Sequence, residues 1–181
     1  MNIFNEFEIR LLHGLNSAVS CEFLDIVMPY VTSLANSGIF WIVIALVLLC
    51  FRRTRKVGVT MGIALCLGLI FGNLMLKPLI ARIRPYDFDP SIILLIPPEK
   101  DFSFPSGHTL ASFEGAVSIF LYNRKIGCAA IVLAALIAFS RLYLMVHYPL
   151  DVLTGAVLGT LFAVISMRLT GLIPWKSHDP A

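Results

Sequence analysis

Charged residues are scarce in this sequence. Only 14% of the 181 residues are Asp, Glu, Lys or Arg, 58% are hydrophobic, and the mean hydropathy is +0.86. Because a soluble globular domain carries about 25% charged residues, this composition excludes that class and indicates an integral membrane protein. The formal net charge of +3 is too small for a nucleic-acid-binding surface, so no nucleic-acid partner is expected.

Metal-binding spacing and a signal peptide are also missing. The four cysteines show no CxxC or Cys/His spacing, so neither a disulfide framework nor a zinc site is expected. Acidic residues, Glu6 and Glu8, stand where a cleaved signal peptide would carry basic ones, so we expect no removed leader. The length predicts a single domain over residues 1–181.

Apolar segments long enough to cross a bilayer follow one another along the chain. A spanning helix needs about 20 residues, and the candidates are 26–51, 57–76, 105–123, 126–146 and 149–169. Asn36-Ser37-Gly38 can break the first segment, so hydropathy alone leaves five or six spans open. Residues 2–18 instead predict an amphipathic helix at the membrane interface. Its apolar side carries Phe4, Phe7, Leu11 and Leu15, and its polar side carries Glu6, Arg10 and His13.

Basic residues set the predicted orientation. They concentrate in residues 52–56 and 124–125, with Arg168 and Lys176 near the end of the chain. The positive-inside rule places these connections in the cytoplasm. The alternation of spans then brings residues 77–106 and 141–151 together at the outer face.

Cations in those outer segments predict an anion site. Lys77, Arg84 and Arg141 would repel each other near a bilayer unless an anion neutralised them. Arg and Lys suit phosphate oxygens, and Ser106-Gly107 opens a helix whose free N–H groups attract anions. We therefore predict a phosphate site. Arg82, taken alone, is explained equally well as an interfacial side chain that reaches the lipid headgroups.

His147 and Asp151 predict a nucleophile with its orienting carboxylate. They lie four residues apart at the start of a helix with Pro149 in its first turn, so Asp151 can bond one ring nitrogen of His147. The other nitrogen is then free to attack phosphorus and form a phosphohistidine. His108 remains as the acid/base group that protonates the leaving oxygen and then activates water.

The same residues carry a family resemblance. Residues 77–85, 105–108 and 140–151 match K-x6-R-P, P-S-G-H and S-R-x5-H-x3-D, and the chain resembles the type 2 phosphatidic acid phosphatase (PAP2) family. The resemblance implies an all-α membrane bundle of about six helices, with a break at residues 36–38 and a cytoplasmic N-terminus. It also implies metal-independent chemistry with no cofactor. The implied roles are phosphate binding by Lys77, Arg84, Ser106, Gly107 and Arg141, and catalysis by His147, Asp151 and His108.

Two residues outside the signature are candidates for contact with a lipid headgroup. Glu114 is a carboxylate within an apolar helix, six residues after His108 and therefore turned away from it. It can equally be structural, with Asn73 as a partner. Tyr86 directly follows the first motif and can shape the rim of the pocket. The apolar loop from Pro85 to Phe104 is expected to cap the site or dip into the interface.

The predicted function is hydrolysis of the terminal phosphate of a membrane lipid phosphate or diphosphate. Undecaprenyl diphosphate, phosphatidylglycerophosphate and phosphatidic acid all fit, and the predicted location is a bacterial cytoplasmic membrane with the active site outside. One alternative is a phosphotransferase that passes the phosphate from His147 to another lipid or a sugar instead of water. The other is a non-enzymatic anion or lipid transporter, which would place polar groups along a path near the bilayer midplane. The sequence makes no prediction of oligomeric state.

Overall fold

Helices make up every regular element of the described part of the chain. A computed structural model describes residues 2–174, with side chains from residue 5 onwards, and within that range it contains no β-strand. The predicted all-α fold class is confirmed. The side chain of Phe4 and the whole of Lys176 lie outside what is described.

The helices are numbered here in chain order. They are α1 (Asn2–Val19), α2 (Glu22–Ser33), α3 (Ile39–Cys50), α4 (Arg55–Leu67), α5 (Lys77–Ile80), α6 (Pro85–Phe88), α7 (Gly107–Phe120), α8 (Arg124–Tyr143) and α9 (Pro149–Gly171). A π-helical segment, Gly68–Leu76, joins α4 to α5 without a break. The predicted amphipathic helix is thus observed as α1.

The protein is a multi-pass membrane protein. Four segments of residues 2–174 are long and apolar enough to cross a bilayer: Glu22–Cys50, Arg55–Phe88, Arg124–Tyr143 and Pro149–Gly171. Helix α7 has 14 residues and a length of about 21 Å, shorter than the hydrocarbon core. The count of six spans therefore stays a prediction. Large apolar side chains cover the outside of the bundle, as lipid contact requires; Tyr30 is 72% exposed and Leu79 is 76% exposed.

Helix α7 lies at the centre of the bundle, packed against α4, α8 and α9. Glycines on α9 allow the closest approach, because a Cβ on Gly155 would stand 2.8 Å from the carbonyl oxygen of Ser106. The indole of Trp41 on α3 lies against Gly115 and donates a hydrogen bond of 3.2 Å to Ser112. These contacts fix the helix that begins at the P-S-G-H motif.

The two ends of the bundle differ in charge. At one end, the hydroxyl of Thr60 lies 2.9 Å from that of Tyr122 and donates to Thr170 at 2.9 Å. These bonds bring the basic connections at residues 52–56 and 124–125 to the same end. The other end gathers α1, α5, the first turns of α7 and α9, and the last turn of α8.

Helix α1 lies at the second of these ends, together with the predicted site. Glu8 accepts a hydrogen bond of 2.7 Å from the backbone N–H of Leu150, and Asn16 donates to the carbonyl of Tyr143 at 3.2 Å. A cytoplasmic N-terminus and a site at the outer face therefore cannot both hold. Hydropathy could not reveal this, because the helix is fixed by single polar contacts and not by its apolar face alone.

The predicted break at residues 36–38 is present. A single 3₁₀ turn separates α2 from α3, and Ser37 and Gly38 have φ values of 52° and 66°. Gly adopts this left-handed region without steric cost. The break turns Asn36 and Gly38 toward the first turn of α7.

Candidate active site

A cavity of about 390 Å³ opens at the end of the bundle that carries α1. Its polar part is lined by four residues that the sequence predicted, Lys77, Arg84, His108 and His147. Two further residues, Glu99 and Asp101, line it as well. Its apolar part is lined by Ile42, Leu65, Leu69, Leu110 and Ala111, with Glu114 among them. The cavity therefore joins a charged region to a lipid-like one.

Each of the three predicted phosphate-binding cations has a carboxylate partner from the loop before α7. Asp101 accepts hydrogen bonds from Lys77 and from Nη2 of Arg84, the latter at 2.5 Å. Glu99 accepts from Nη2 of Arg141 at 2.5 Å. Arg84 and Arg141 are 2% and 0% exposed, whereas the side chains of Asp101 and Glu99 are 51% and 30% exposed. Buried cations are therefore paired with carboxylates that solvent still reaches.

The cations lower the pKa of the loop carboxylate that they hold. Burial acts to raise the pKa of Asp101, but hydrogen bonds to Lys77 and Arg84 and their positive charges outweigh it and lower that pKa to about 2. Asp101 is therefore ionised at neutral pH. Together with Glu99 it places two negative charges where the sequence predicts phosphate.

The ring of His147 is held as the i, i+4 spacing predicts. Its Nδ1 lies 3.5 Å from Oδ2 of Asp151 and 3.4 Å from the hydroxyl of Ser103. Its Nε2 lies 3.3 Å from Nη1 of Arg84, and the residue lines the cavity. Burial, and then the charges of Arg84, Arg141 and Lys77, lower the pKa of His147 from its ordinary value. A neutral imidazole thus presents Nε2 to the cations.

Asp151 is fixed by the start of its own helix. Its Oδ2 accepts a hydrogen bond of 3.0 Å from the backbone N–H of Tyr148 and another of 2.5 Å from Ser103. The first bond is half of a capping box at the N-terminus of α9. The Tyr148-Pro149 sequence that begins the helix therefore also sets the carboxylate beneath His147.

His108 lines the same cavity from the first turn of α7 and has a partner that the motif does not reveal. Its Nε2 lies 3.0 Å from Oδ1 of Asn36, in the break between α2 and α3. Ser106 is the N-cap residue of α7 and accepts a hydrogen bond of 3.0 Å from the hydroxyl of Thr109. A Cβ on Gly107 would stand 3.1 Å from Oδ1 of Asn73 and 3.8 Å from Nζ of Lys77, so a side chain at this position would press on Asn73.

Sequence reasoning underestimated Arg82. The side chain is 5% exposed and does not reach toward lipid headgroups. It donates to Oδ1 of Asp151 at 2.7 Å and to Glu8, and its guanidinium lies 3.7 Å from the centre of the Tyr148 ring. Only the packing of the helices reveals these contacts, because Glu8, Arg82 and Asp151 are far apart in sequence.

The two predicted headgroup contacts differ in position. Glu114 lines the cavity but lies deep against Gly68, where a Cβ would stand 2.0 Å from its Oε1. Tyr86 instead bonds the loop, since its hydroxyl donates to the carbonyl of Glu99 at 3.1 Å and accepts from the N–H of Glu99 at 3.1 Å. Tyr86 thus positions Glu99. Among residues 2–174, no group of three His, Cys, Asp or Glu side chains is arranged to hold a metal ion.

Some of the missed residues had a signal in the sequence. Glu99, Asp101 and Ser103 stand in a proline-containing loop with an apolar centre, directly before Pro105-Ser106-Gly107-His108. Polar residues that close to a motif at a membrane surface are candidates for contact with it. Asn5 and Glu8 had no such signal, because a polar face is expected of any interfacial helix.

The comparisons with known proteins agree with this geometry. Residues 54–174 match the family model described as PAP2 superfamily. The chain is 37% identical to an undecaprenyl-diphosphatase of Sulfolobus acidocaldarius over 77% of this chain and 68% of the relative. It is also 37% identical to a Bacillus licheniformis protein named bacitracin transport permease protein BcrC, over 89% of this chain and 79% of the relative.

A solved structure extends the similarity to the fold. The crystal structure of a transmembrane PAP2-type phosphatidylglycerolphosphate phosphatase from Bacillus subtilis superposes with a TM-score of 0.76 at 25% identity. The match covers 96% of this chain and 89% of that chain. The family motifs, their meeting in one cavity and these similarities lead to one conclusion: this membrane protein belongs to the PAP2 superfamily and is a lipid phosphatase.

Proposed function

We propose that the protein hydrolyses the terminal phosphate of undecaprenyl diphosphate at the outer face of a bacterial cytoplasmic membrane, through a phosphohistidine on His147. One observation carries the proposal: His147 lines a cavity together with Lys77 and Arg84, with its Nε2 on the side of Arg84 and its Nδ1 on the side of Asp151. A phosphoryl group bound by Lys77, Arg84 and Arg141 would meet the free nitrogen of a neutral imidazole. That is the arrangement of an activated nucleophile.

Substrate binding exchanges one set of anions for another. Carboxylate and phosphate oxygens accept the same charge-assisted hydrogen bonds, and Glu99 and Asp101 currently accept those of the three cations. A phosphate that enters the site replaces both carboxylates. The loop that carries them then moves away from the cations, and the lipid tail extends into the apolar part of the cavity.

The reaction proceeds in two balanced steps. Nε2 of His147 forms a bond to the terminal phosphorus, and the bond from that phosphorus to the bridging oxygen breaks. His108 takes up a proton when the negatively charged diphosphate binds beside it, and this imidazolium gives the proton to the leaving lipid phosphate. Neutral His108 then removes a proton from water, whose oxygen attacks the phosphohistidine and releases inorganic phosphate. Asp151 stabilises the positive charge on the His147 ring, and the cations stabilise the charge on the phosphoryl oxygens.

A second substrate is favoured by the structural similarity. The Bacillus subtilis protein with a TM-score of 0.76 is a phosphatidylglycerolphosphate phosphatase, and the charged part of the cavity would bind either terminal phosphate. Undecaprenyl diphosphate ranks first because an undecaprenyl-diphosphatase is 37% identical over 77% of the chain.

Release of inorganic phosphate tests the proposal. Purified wild type and His147→Ala are compared in detergent with undecaprenyl diphosphate, phosphatidylglycerophosphate and phosphatidic acid, all in the presence of EDTA. We expect wild type to release phosphate fastest from undecaprenyl diphosphate and His147→Ala to release none, with an unchanged thermal unfolding midpoint. If His147→Ala releases phosphate as fast as wild type, His147 is not the nucleophile. Activity that EDTA abolishes and magnesium restores contradicts the metal-independent mechanism.

A further inference from the structure

We propose that Arg82 and Glu8 are positioning residues of the phosphatase reaction, with α1 forming part of the catalytic end of the protein. Arg82 fixes the Asp151 carboxylate, and Glu8 balances the charge of Arg82 so that Asp151 keeps its negative charge for His147. The inference rests on the proposed function, since it assumes that His147 is the nucleophile.

The contacts of Arg82 hold it in one place. Nη1 donates to Oδ1 of Asp151 at 2.7 Å, and Nη2 donates to Glu8 and, at 2.7 Å, to Oδ1 of Asn5. Nε also donates to Asn5, at 3.2 Å, and the guanidinium stacks on the Tyr148 ring. A buried side chain with this many partners has a single orientation.

Arg82 binds the carboxylate oxygen that does not face the histidine. Oδ1 of Asp151 accepts from Arg82, while Oδ2 accepts from Ser103 and the N–H of Tyr148 and lies 3.5 Å from Nδ1 of His147. Because Asp151 is 0% exposed, its carboxylate is fixed by these donors and not by bulk solvent. Loss of Arg82 would leave Oδ1 without its donor and let the carboxylate rotate away from His147.

Charge balance gives Glu8 its role. Arg82 alone would neutralise Asp151 and remove the field that stabilises a positive charge on His147. With Glu8 included, the cluster holds two carboxylates and one guanidinium, all less than 10% exposed, and therefore a net charge of −1. That charge compensates the imidazolium-like phosphohistidine. Glu8 is itself oriented by the backbone N–H of Leu150, at 2.7 Å.

Helix α1 supplies these groups from outside the region that defines the superfamily. The family match begins at residue 54, whereas Asn5 and Glu8 stand on Asn2–Val19. Their side chains are 2% and 7% exposed, so they are not the solvated face of an interfacial helix. The helix is attached further along by His13, whose Nε2 lies 2.9 Å from Asp89.

The test compares Glu8→Gln with Glu6→Gln, a matched control that removes the same charge from an exposed position on the same helix. Phosphate release from undecaprenyl diphosphate is measured over a range of substrate concentrations. We expect Glu8→Gln to lower kcat about tenfold or more and to leave KM within about twofold, while Glu6→Gln matches wild type. An unchanged kcat for Glu8→Gln overturns the inference.

A second background separates positioning from a general structural effect. Glu8→Gln is also made in the Asp151→Asn variant. There it should change kcat less than about twofold, because the effects of residues that act through one another are not additive. Arg82→Lys should retain more activity than Arg82→Ala, since it keeps the positive charge. An equal loss for Glu8→Gln in both backgrounds overturns the proposal in favour of a structural role.

A spectroscopic readout keeps this inference distinct from the proposed function. The ¹⁵N signals of His147 are titrated in histidine-labelled wild type, Glu8→Gln and Glu6→Gln. Lys77, Arg84, Arg141, Asp101 and Asp151 all act on the ring and are common to the three proteins. Glu8→Gln should lower the measured His147 pKa and Glu6→Gln should not; equal values overturn the inference. Absence of phosphate release by wild type instead defeats the proposed function and leaves this readout valid.

Discussion

His147 shows how much of a site one short stretch of sequence can determine. Pro149 begins α9, Asp151 caps it, and the carboxylate consequently lies beneath the imidazole four residues earlier. All three residues act within one helical turn, so their spacing predicts their geometry. Arg82 is the opposite case, because its partners come from α1 and α9 and nothing near it in sequence indicates them.

The charges around His147 predict a pH dependence. Burial, Arg84, Arg141 and Lys77 lower its pKa below the ordinary value of 6.5, so the ring is neutral in the free enzyme at pH 6.5. Removal of one cation should raise this pKa and protonate the nucleophile at a higher pH. We therefore expect the acid limb of kcat/KM, which reports the free enzyme, to move to higher pH in Arg141→Gln. Profiles of both proteins on the same substrate measure the shift, and a limb that moves to lower pH contradicts it.

Among the elements, the loop between α6 and α7 does more than connect two helices, because it contacts the candidate active site. Its apolar part packs on α1 and on the connection between α8 and α9, where Ile92 belongs to the same cluster as Leu12 and Tyr148. Its polar part places Glu99 and Asp101 on the cations of the site. The loop therefore covers the site and competes with phosphate for the same donors.

Competition by the loop predicts a gain in phosphate affinity when its charges are removed. In Asp101→Asn and Glu99→Gln, inorganic phosphate no longer displaces a charged carboxylate. The inhibition constant of phosphate should fall about tenfold, since a charge-assisted hydrogen bond contributes about 1.5 kcal/mol or more. Product-inhibition kinetics measure the change. Asp87→Asn removes the same charge from an exposed position near the loop and should leave the constant unaltered; an unchanged or higher constant in Asp101→Asn contradicts the competition.

At the scale of the whole molecule, the two ends of the bundle have separate chemistry. Basic connections lie at one end, and the cavity, the loop and α1 lie at the other. The positive-inside rule predicts that the basic end faces the cytoplasm. Because α1 is hydrogen-bonded to α9 beside the cavity, α1 and the site must lie on the same side of the membrane.

Chemical labelling tests this orientation. The natural cysteines are exposed, so they are first replaced by serine. Ser91→Cys in the loop and Arg10→Cys on α1 should react with a membrane-impermeant maleimide in spheroplasts, whereas Arg53→Cys should react only after lysis. Labelling of Arg10→Cys only after lysis, with Ser91→Cys labelled from outside, contradicts the position of α1. Labelling of Arg53→Cys from outside contradicts the outer-face site.

The sequence by itself determined the membrane class, the helical elements, the cation and histidine set and the His147–Asp151 pair. Composition decides the first of these, and hydrophobic period and caps decide the second. The alternation of spans and the three motifs predict the cation and histidine set, and the four-residue spacing predicts the His147–Asp151 pair. Only the tertiary structure placed α1 beside the cavity, paired Glu99 and Asp101 with the cations, and joined Arg82 to Asp151 and Glu8. These contacts link residues between 17 and 142 positions apart. They depend on how helices pack and where a loop lies, which no local pattern of residues specifies.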